Sequence, residues 1–217
     1  MKKNLIIIGG GKLGRELFSW AKQTREYDSE WTIKGFLDNR PNILSGYNYD
    51  LPVLTSAEAY VPEPNDIFTC AIGEPGIKKT ICEHILRLKG KFTNIVHPTV
   101  VVGENVKLGQ GVILCPYVVI SSDVTIGDFV TINMHSVLGH DVKVGSHCQV
   151  NVNVSINGSA ELRESVNVGS GAVILPDIVL ENNAVIGAGS VVVRNVDPFQ
   201  TVFGNPAKSL FPNTLKQ

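Results

Sequence analysis

His140 and Asp141 stand side by side in the stretch LGHDVKVG. A histidine exchanges a proton near neutral pH, and a carboxylate bonded to its ring fixes the tautomer and stabilises the imidazolium. Such a pair suits proton abstraction from an attacking amine or hydroxyl. Successive side chains on an extended strand point to opposite faces, so the two groups meet only if a corner falls here. The surrounding residues 133–158 hold three histidines (His135, His140, His147), Asp141 and four asparagines. That density marks a candidate site. The bland alternatives are a solvated corner histidine at His140 and simple turn support at Asp141. His135 and His147 are open between substrate contact and packing at a subunit interface. His97 reads as shaping a join between domains, and His84 as a surface residue of a helix.

A second constellation lies near the start. Gly9, Gly11 and Gly14 follow the apolar run NLIII in a G-x-G-x-x-G pattern, with Asp38 after the next apolar segment. This arrangement suits a phosphate cradle at a helix N-terminus, with Asp38 on a ribose or base. A tight strand-to-helix turn would produce the same glycines.

Two kinds of element must position these groups. From Val96 to Val192 every sixth residue is Val, Leu or Ile. The position four later is small or β-branched, and the position directly after is often Gly or Asn, expected to serve positive φ at corners. This is the pattern of a hexapeptide β-helix, in which three units close a coil of about 18 residues and stacked coils bury one continuous core. Residues 1–92 lack the period. Strands are expected at NLIII, WTIKGFLDN and DIFTCAIG, and helices at GRELFSWAKQ and GIKKTICEHILRLKG. Alternating strands and helices imply a parallel sheet, and about 90 residues suffice for a mononucleotide-sized half of a doubly wound domain. The expected division is an α/β Rossmann-like domain over 1–92, an all-β helix over 93–196 and a tail over 197–217.

The 217 residues carry a formal charge of −1 with scattered Lys and Arg, which argues against nucleic acid as a partner. Cys70, Cys82, Cys115 and Cys148 form no CxxC, so neither a zinc knuckle nor a disulfide framework is expected. The start MKKNLIIIGGGKLG has too short an apolar run for a signal peptide, and no segment reaches membrane-spanning length. The expectation is a cytoplasmic protein without membrane insertion.

The combination of a glycine-rich first turn, IVHPTV at the join, INMHSVLGHDVKVG in the repeat and VFGNPAKSL at the end resembles the hexapeptide-repeat sugar acyltransferases. That family includes bacterial nucleotide-sugar N-acetyltransferases and sialic acid O-acetyltransferases. The resemblance covers nearly the whole chain and implies a left-handed β-helix, a homotrimer and acetyl-CoA as co-substrate, with no metal. It implies a nucleotide-linked amino sugar as acceptor in bacterial surface-glycan synthesis, with O-acetylation of sialic acid as the alternative. His140 would be general base with Asp141 as its partner. Gly11, Lys12, Leu13, Asp38, Gly73, Lys78 and Asn133 would bind the sugar nucleotide. Gln149, Gly158, Ser170, Ala188 and Lys208 would contact acetyl-CoA. The chain departs from many relatives at Lys12-Leu13, where they carry Gly-His, and at Gln149, where some carry a second histidine.

Two other classes fit parts of the sequence. Hexapeptide β-helix carbonic anhydrases use three zinc-binding histidines, two of them five apart as His135 and His140 are. The third would fall at Thr99, with His97 out of phase, and those enzymes lack a Rossmann-like front domain. A non-catalytic nucleotide-sensing β-helix is the third class, and measured turnover separates it from an enzyme.

Overall fold

A computed structural model describes residues 2–210. The front of the chain is a five-stranded parallel sheet with two helices. Its elements are β1 (Lys3–Ile8), α1 (Lys12–Ala21), β2 (Trp31–Leu37), β3 (Val53–Thr55), β4 (Asp66–Cys70), α2 (Pro75–Arg87) and β5 (Lys91–Phe92), in the order β3-β2-β1-β4-β5. β1 is central and wholly apolar from Leu5 to Ile8, as a strand covered on both faces must be. The short edge strands β3 and β5 escape sequence reading because two or three residues carry no period.

Seventeen two-residue strands follow, one every six residues, from β6 (Ile95–Val96), β7 (Val101–Val102) and β8 (Lys107–Leu108) to β22 (Val191–Val192). All but the last three pair in parallel with the strand 18 residues on, as Val119 does with Val137 and Thr131 with Gln149. The result is a parallel β-helix with three faces. The first face begins with β6, the second with β7 and the third with β8. Two further strands, β23 (Thr201–Phe203) and the antiparallel β24 (Lys208–Ser209), extend the first face. The aliphatic column from Leu114 and Ile120 to Ile186 and Val192 fills the interior.

Positive φ recurs at the corners, at Asn105, Tyr117, Asp123, Phe129, His135, Asp141 and His147 among others. The expectation for the glycines directly after the aliphatic residues is therefore corrected. Gly103, Gly139 and Gly145 do not hold positive φ. A Cβ at any of the three would lie 2.7 Å from the backbone of the next coil, so they permit close stacking rather than the turn.

The three faces differ outside. The front domain covers the first face, whose outward residues Ile95, Ile113, Thr131 and Gln149 are buried. Ile95, Ile113 and Cys115 pack with Leu5, Leu17 and Trp31, and Phe92 meets Phe129 edge-on at 4.8 Å. His97 bonds Thr99 and also Gln23, the second residue beyond α1, across this seam. The second face presents Val101, Val119 and Val137 to solvent. The third presents Lys107, Thr125 and Lys143.

Candidate active site

A cavity of about 400 Å³ opens at the C-terminal ends of β1, β2 and β4. Gly9, Gly11, Lys12, Leu13, Asp38, Arg40 and Gly73 are among its walls. Gly14 is obligatory here because a Cβ would run into the carbonyl of Gly9. Its absence lets α1 press onto the β1 turn, leaving the helix N-terminus at the cavity. Gly11 caps α1 without any side-chain hydrogen bond, and no acid occupies its first turn. The N-terminus of α2 differs: the Glu74 carboxylate accepts from the amides of Gly76 and Ile77. Of the two helices, only α1 offers open amides and a positive dipole end to an anion.

Asp38 is engaged by protein. Its Oδ1 accepts from the Arg40 amide (3.0 Å) and Nε (2.9 Å), and its Oδ2 from Arg40 Nη2 (3.0 Å) and the Gly10 amide (2.9 Å). Burial alone would raise this carboxyl, but the Arg40 and Gly10 bonds outweigh it and hold it below the ordinary carboxylate range. Four donors fill the acceptor sites of a carboxylate. Asp38 therefore braces the glycine turn and aims Arg40 at the cavity. Sequence reasoning missed Arg40, although its position two residues after Asp38 is an Asx-turn signal.

His140 and Asp141 meet at a corner between β13 (Val137–Leu138) and β14 (Lys143–Val144). Asp141 adopts φ 60°, which turns its side chain back so that Oδ2 lies 2.8 Å from His140 Nδ1. Nε2 has no partner among the described residues, and the His140 side chain is 69% exposed. The ring lies over Gly158, one coil on, where a Cβ would stand 2.6 Å from Nε2. The Gly158 N–H has no acceptor among the described residues. A ring nitrogen and an amide N–H, neither bonded among the described residues, are thus adjacent.

The polar stretch at 133–158 does not converge in one chain. His135, His140 and His147 occupy the three different corners of a single coil. His135 stacks on Tyr117 at 5.0 Å and His147 on Phe129 at 5.2 Å, each against the same corner of the preceding coil. Burial lowers the pKa of His147, whose Nδ1 is buried without a partner. His84 is half-buried on α2, with Nε2 likewise unpaired, rather than on the open surface expected. No group of three His, Cys, Asp or Glu among the described residues is arranged for a metal ion.

Ser170 and Ala188 sit one above the other on the corner between the first and second faces, in a ridge with Gly171 and Gly189. Asn133 is buried and accepts from the Met134 amide, and its Nδ2 makes no hydrogen bond among the described residues. Lys208 is exposed on β24, and residues 211–217 of the expected tail lie outside the described residues. Lys78 departs from expectation. It does not line the cavity; it is fully buried and donates to Thr131, Cys148 and Gln149 of the β-helix.

Residues 4–85 match the family described as the PglD N-terminal domain, and residues 159–194 the bacterial transferase hexapeptide (six repeats). Together the two matches support a hexapeptide-repeat sugar acyltransferase family for this chain. Among curated proteins it is 27% identical over 117 residues to a UDP-N-acetylbacillosamine N-acetyltransferase of Bacillus subtilis, covering 52% of this chain. The chain spans about half the length of that relative, 51%. Among solved structures, PerB from Caulobacter crescentus in complex with CoA and GDP-perosamine is 27% identical, over 95% of this chain and 96% of that one, with a TM-score of 0.84. The acetyltransferase domain of PglB from Neisseria gonorrhoeae shares the fold at 24% identity and a TM-score of 0.87, over 96% of this chain and 100% of that one.

Proposed function

We propose that this family member transfers an acetyl group from acetyl-CoA to the amine of a nucleotide-linked amino sugar. The acceptor is a UDP-, dTDP- or GDP-amino-dideoxy sugar used in bacterial surface-glycan synthesis. The observation that carries the reading is His140, whose Nδ1 is held by Asp141 while Nε2 stays free beside an unpaired amide. His140 takes the proton from the attacking amine, Asp141 stabilises the resulting imidazolium, and the Gly158 N–H stabilises developing charge on the acyl oxygen.

The nucleotide sits in the cavity of the front domain. Its phosphates lie at the open N-terminus of α1 near Gly11, Lys12 and Leu13, with Arg40, aimed by Asp38, as a further cation. Gly73 and Asn133 line the route of the sugar. Acetyl-CoA supplies the acyl group as a thioester. The Ser170 and Ala188 ridge, with Gly171 and Gly189 beside it, suits its slender arm, Gln149 and Gly158 face the acyl end, and Lys208 offers a cation for phosphate.

One chain does not complete this site. The front domain lies on the first face, and His140 sits on the corner opposite, between the second and third faces. A second copy must bring its His140 to the cavity. The apolar second face, Val101, Val119 and Val137, supports the homotrimer as the form that does so. No helix among the described residues is long and apolar enough to cross a membrane. The cytoplasm, where CoA thioesters and nucleotide sugars are available, is the proposed compartment.

The test is thiol release from acetyl-CoA with UDP-, dTDP- and GDP-linked 3-amino and 4-amino sugars, for the natural chain and His140→Ala. Turnover with one sugar that the substitution abolishes supports the reading. Absence of release with all of them, by a protein that still binds CoA, overturns the acceptor class and turns the search to sugar hydroxyls.

A further inference from the structure

Lys78 is a fully buried amine that the reaction scheme above leaves without a role. Among the described residues no carboxylate lies within ion-pair distance of it. Its acceptors are neutral: Thr131 Oγ1 at 3.2 Å, the Cys148 carbonyl at 3.3 Å and Gln149 Oε1 at 3.1 Å. An ammonium has three N–H donors, and three acceptors meet them. Burial is the largest influence on its pKa and lowers it.

Gln149 shows what this arrangement accomplishes. Because Lys78 donates to Oε1, the amide of Gln149 has one orientation. Its Nε2 makes no hydrogen bond among the described residues, yet it is not a buried unpaired atom, although the residue as a whole is only 2% exposed. The small exposed part of Gln149 therefore includes its NH₂ group. The side chain lies beneath Gly73, where a Cβ would lie 4.0 Å from Gln149 Cδ, and Gly73 lines the cavity.

We propose that Lys78 is a positioning residue that locks the Gln149 side-chain amide so that its N–H donors face the acyl end of the co-substrate at the wall of the cavity. This rests on the acetyl-CoA reading above. Without Lys78 the amide can rotate by half a turn and present an oxygen, which repels a carbonyl. The role needs no contact between Lys78 and any ligand. It gives a reason for a lysine in the seam between two domains, where an apolar residue would pack without loss of solvation.

The test compares the affinities of acetyl-CoA and free CoA by calorimetry for the natural chain, Lys78→Met, Gln149→Leu and the double variant, with circular dichroism melting to confirm folding. Lys78→Met should weaken acetyl-CoA about tenfold while leaving free CoA within about twofold. Gln149→Leu should do the same, and the double variant should lose no more than either alone, because both changes remove one donor. Equal weakening of both ligands, or of neither, overturns the positioning role, as do losses that add. If the natural chain binds neither CoA nor acetyl-CoA, the acetyltransferase reading falls and the inference falls with it. A failure confined to Lys78 leaves that reading intact.

Discussion

The imidazole of His140 lies flat against the Cα of Gly158, residues 18 apart in sequence and stacked on one corner of the β-helix. A Cβ at residue 158 would stand 2.6 Å from Nε2, 2.7 Å from Cε1 and 3.2 Å from Cδ2. The ring therefore rests where only glycine leaves room, and its bond to Asp141 holds the other edge.

Gly158→Ala must displace that ring. A misplacement of about 1 Å costs on the order of 100-fold in rate, so kcat/KM should fall by about that factor. Melting temperature should change little, because the corner is partly exposed. Steady-state kinetics with a thermal melt checks both, and an unchanged kcat/KM would show that the ring is not the base.

Asp141→Asn keeps the shape of the corner and removes the charge. The amide can still bond Nδ1, but it no longer stabilises the imidazolium or enforces the tautomer. The pair is exposed, so the loss should be smaller than for a buried dyad, about 10- to 100-fold in kcat with KM unchanged. An equal rise in KM with no change in kcat would contradict the assignment.

Asp38 ties stability to pH. Its folded-state pKa lies below the unfolded value of 3.8, so between the two the unfolded chain binds more protons. The contribution is complete well above pH 3.8 and is lost as pH falls through the folded value. Asp38→Asn should therefore melt below the natural chain at about pH 6–7, and the gap should close on acidification. A gap that stays constant from neutral to strongly acid pH would refute the Arg40 clamp.

Gly14→Ala drives a methyl group into the Gly9 carbonyl. Overpacking of this kind costs about 1–3 kcal/mol, and it lifts α1 from the turn. Denaturant melts should show the loss, and nucleoside diphosphate affinity should fall further than it does for the exposed control Ser19→Ala.

Val137→Glu places a carboxylate on the apolar second face without touching the core, since Val137 points outward and Leu138 inward. Sedimentation should show smaller species than the natural chain, with loss of turnover. A fully active monomer would refute completion of the site by a second copy.

Much of this protein is legible from its residues alone. The six-residue recurrence of Val, Leu and Ile determines the β-helix, because only a coil of three such units turns every recurring position inward. The glycines at 9, 11 and 14 likewise determine the turn under the cavity, since any side chain at 14 meets backbone. The juxtaposition of His140 and Asp141 was an expectation that hinged on a corner, and the positive φ of Asp141 supplies it. Tertiary structure alone decided how the remaining groups are shared out. Because neighbouring hexads lie on different faces, His135, His140 and His147 are close in sequence and point from three corners, while His140 and Gly158 meet across 18 residues. Arg40 saturates Asp38 and the β-helix surrounds Lys78, because hydrogen-bond partners depend on distances set when two domains pack. Spacing along a chain carries the period of its own folding unit, and it is silent on what the next unit brings against it.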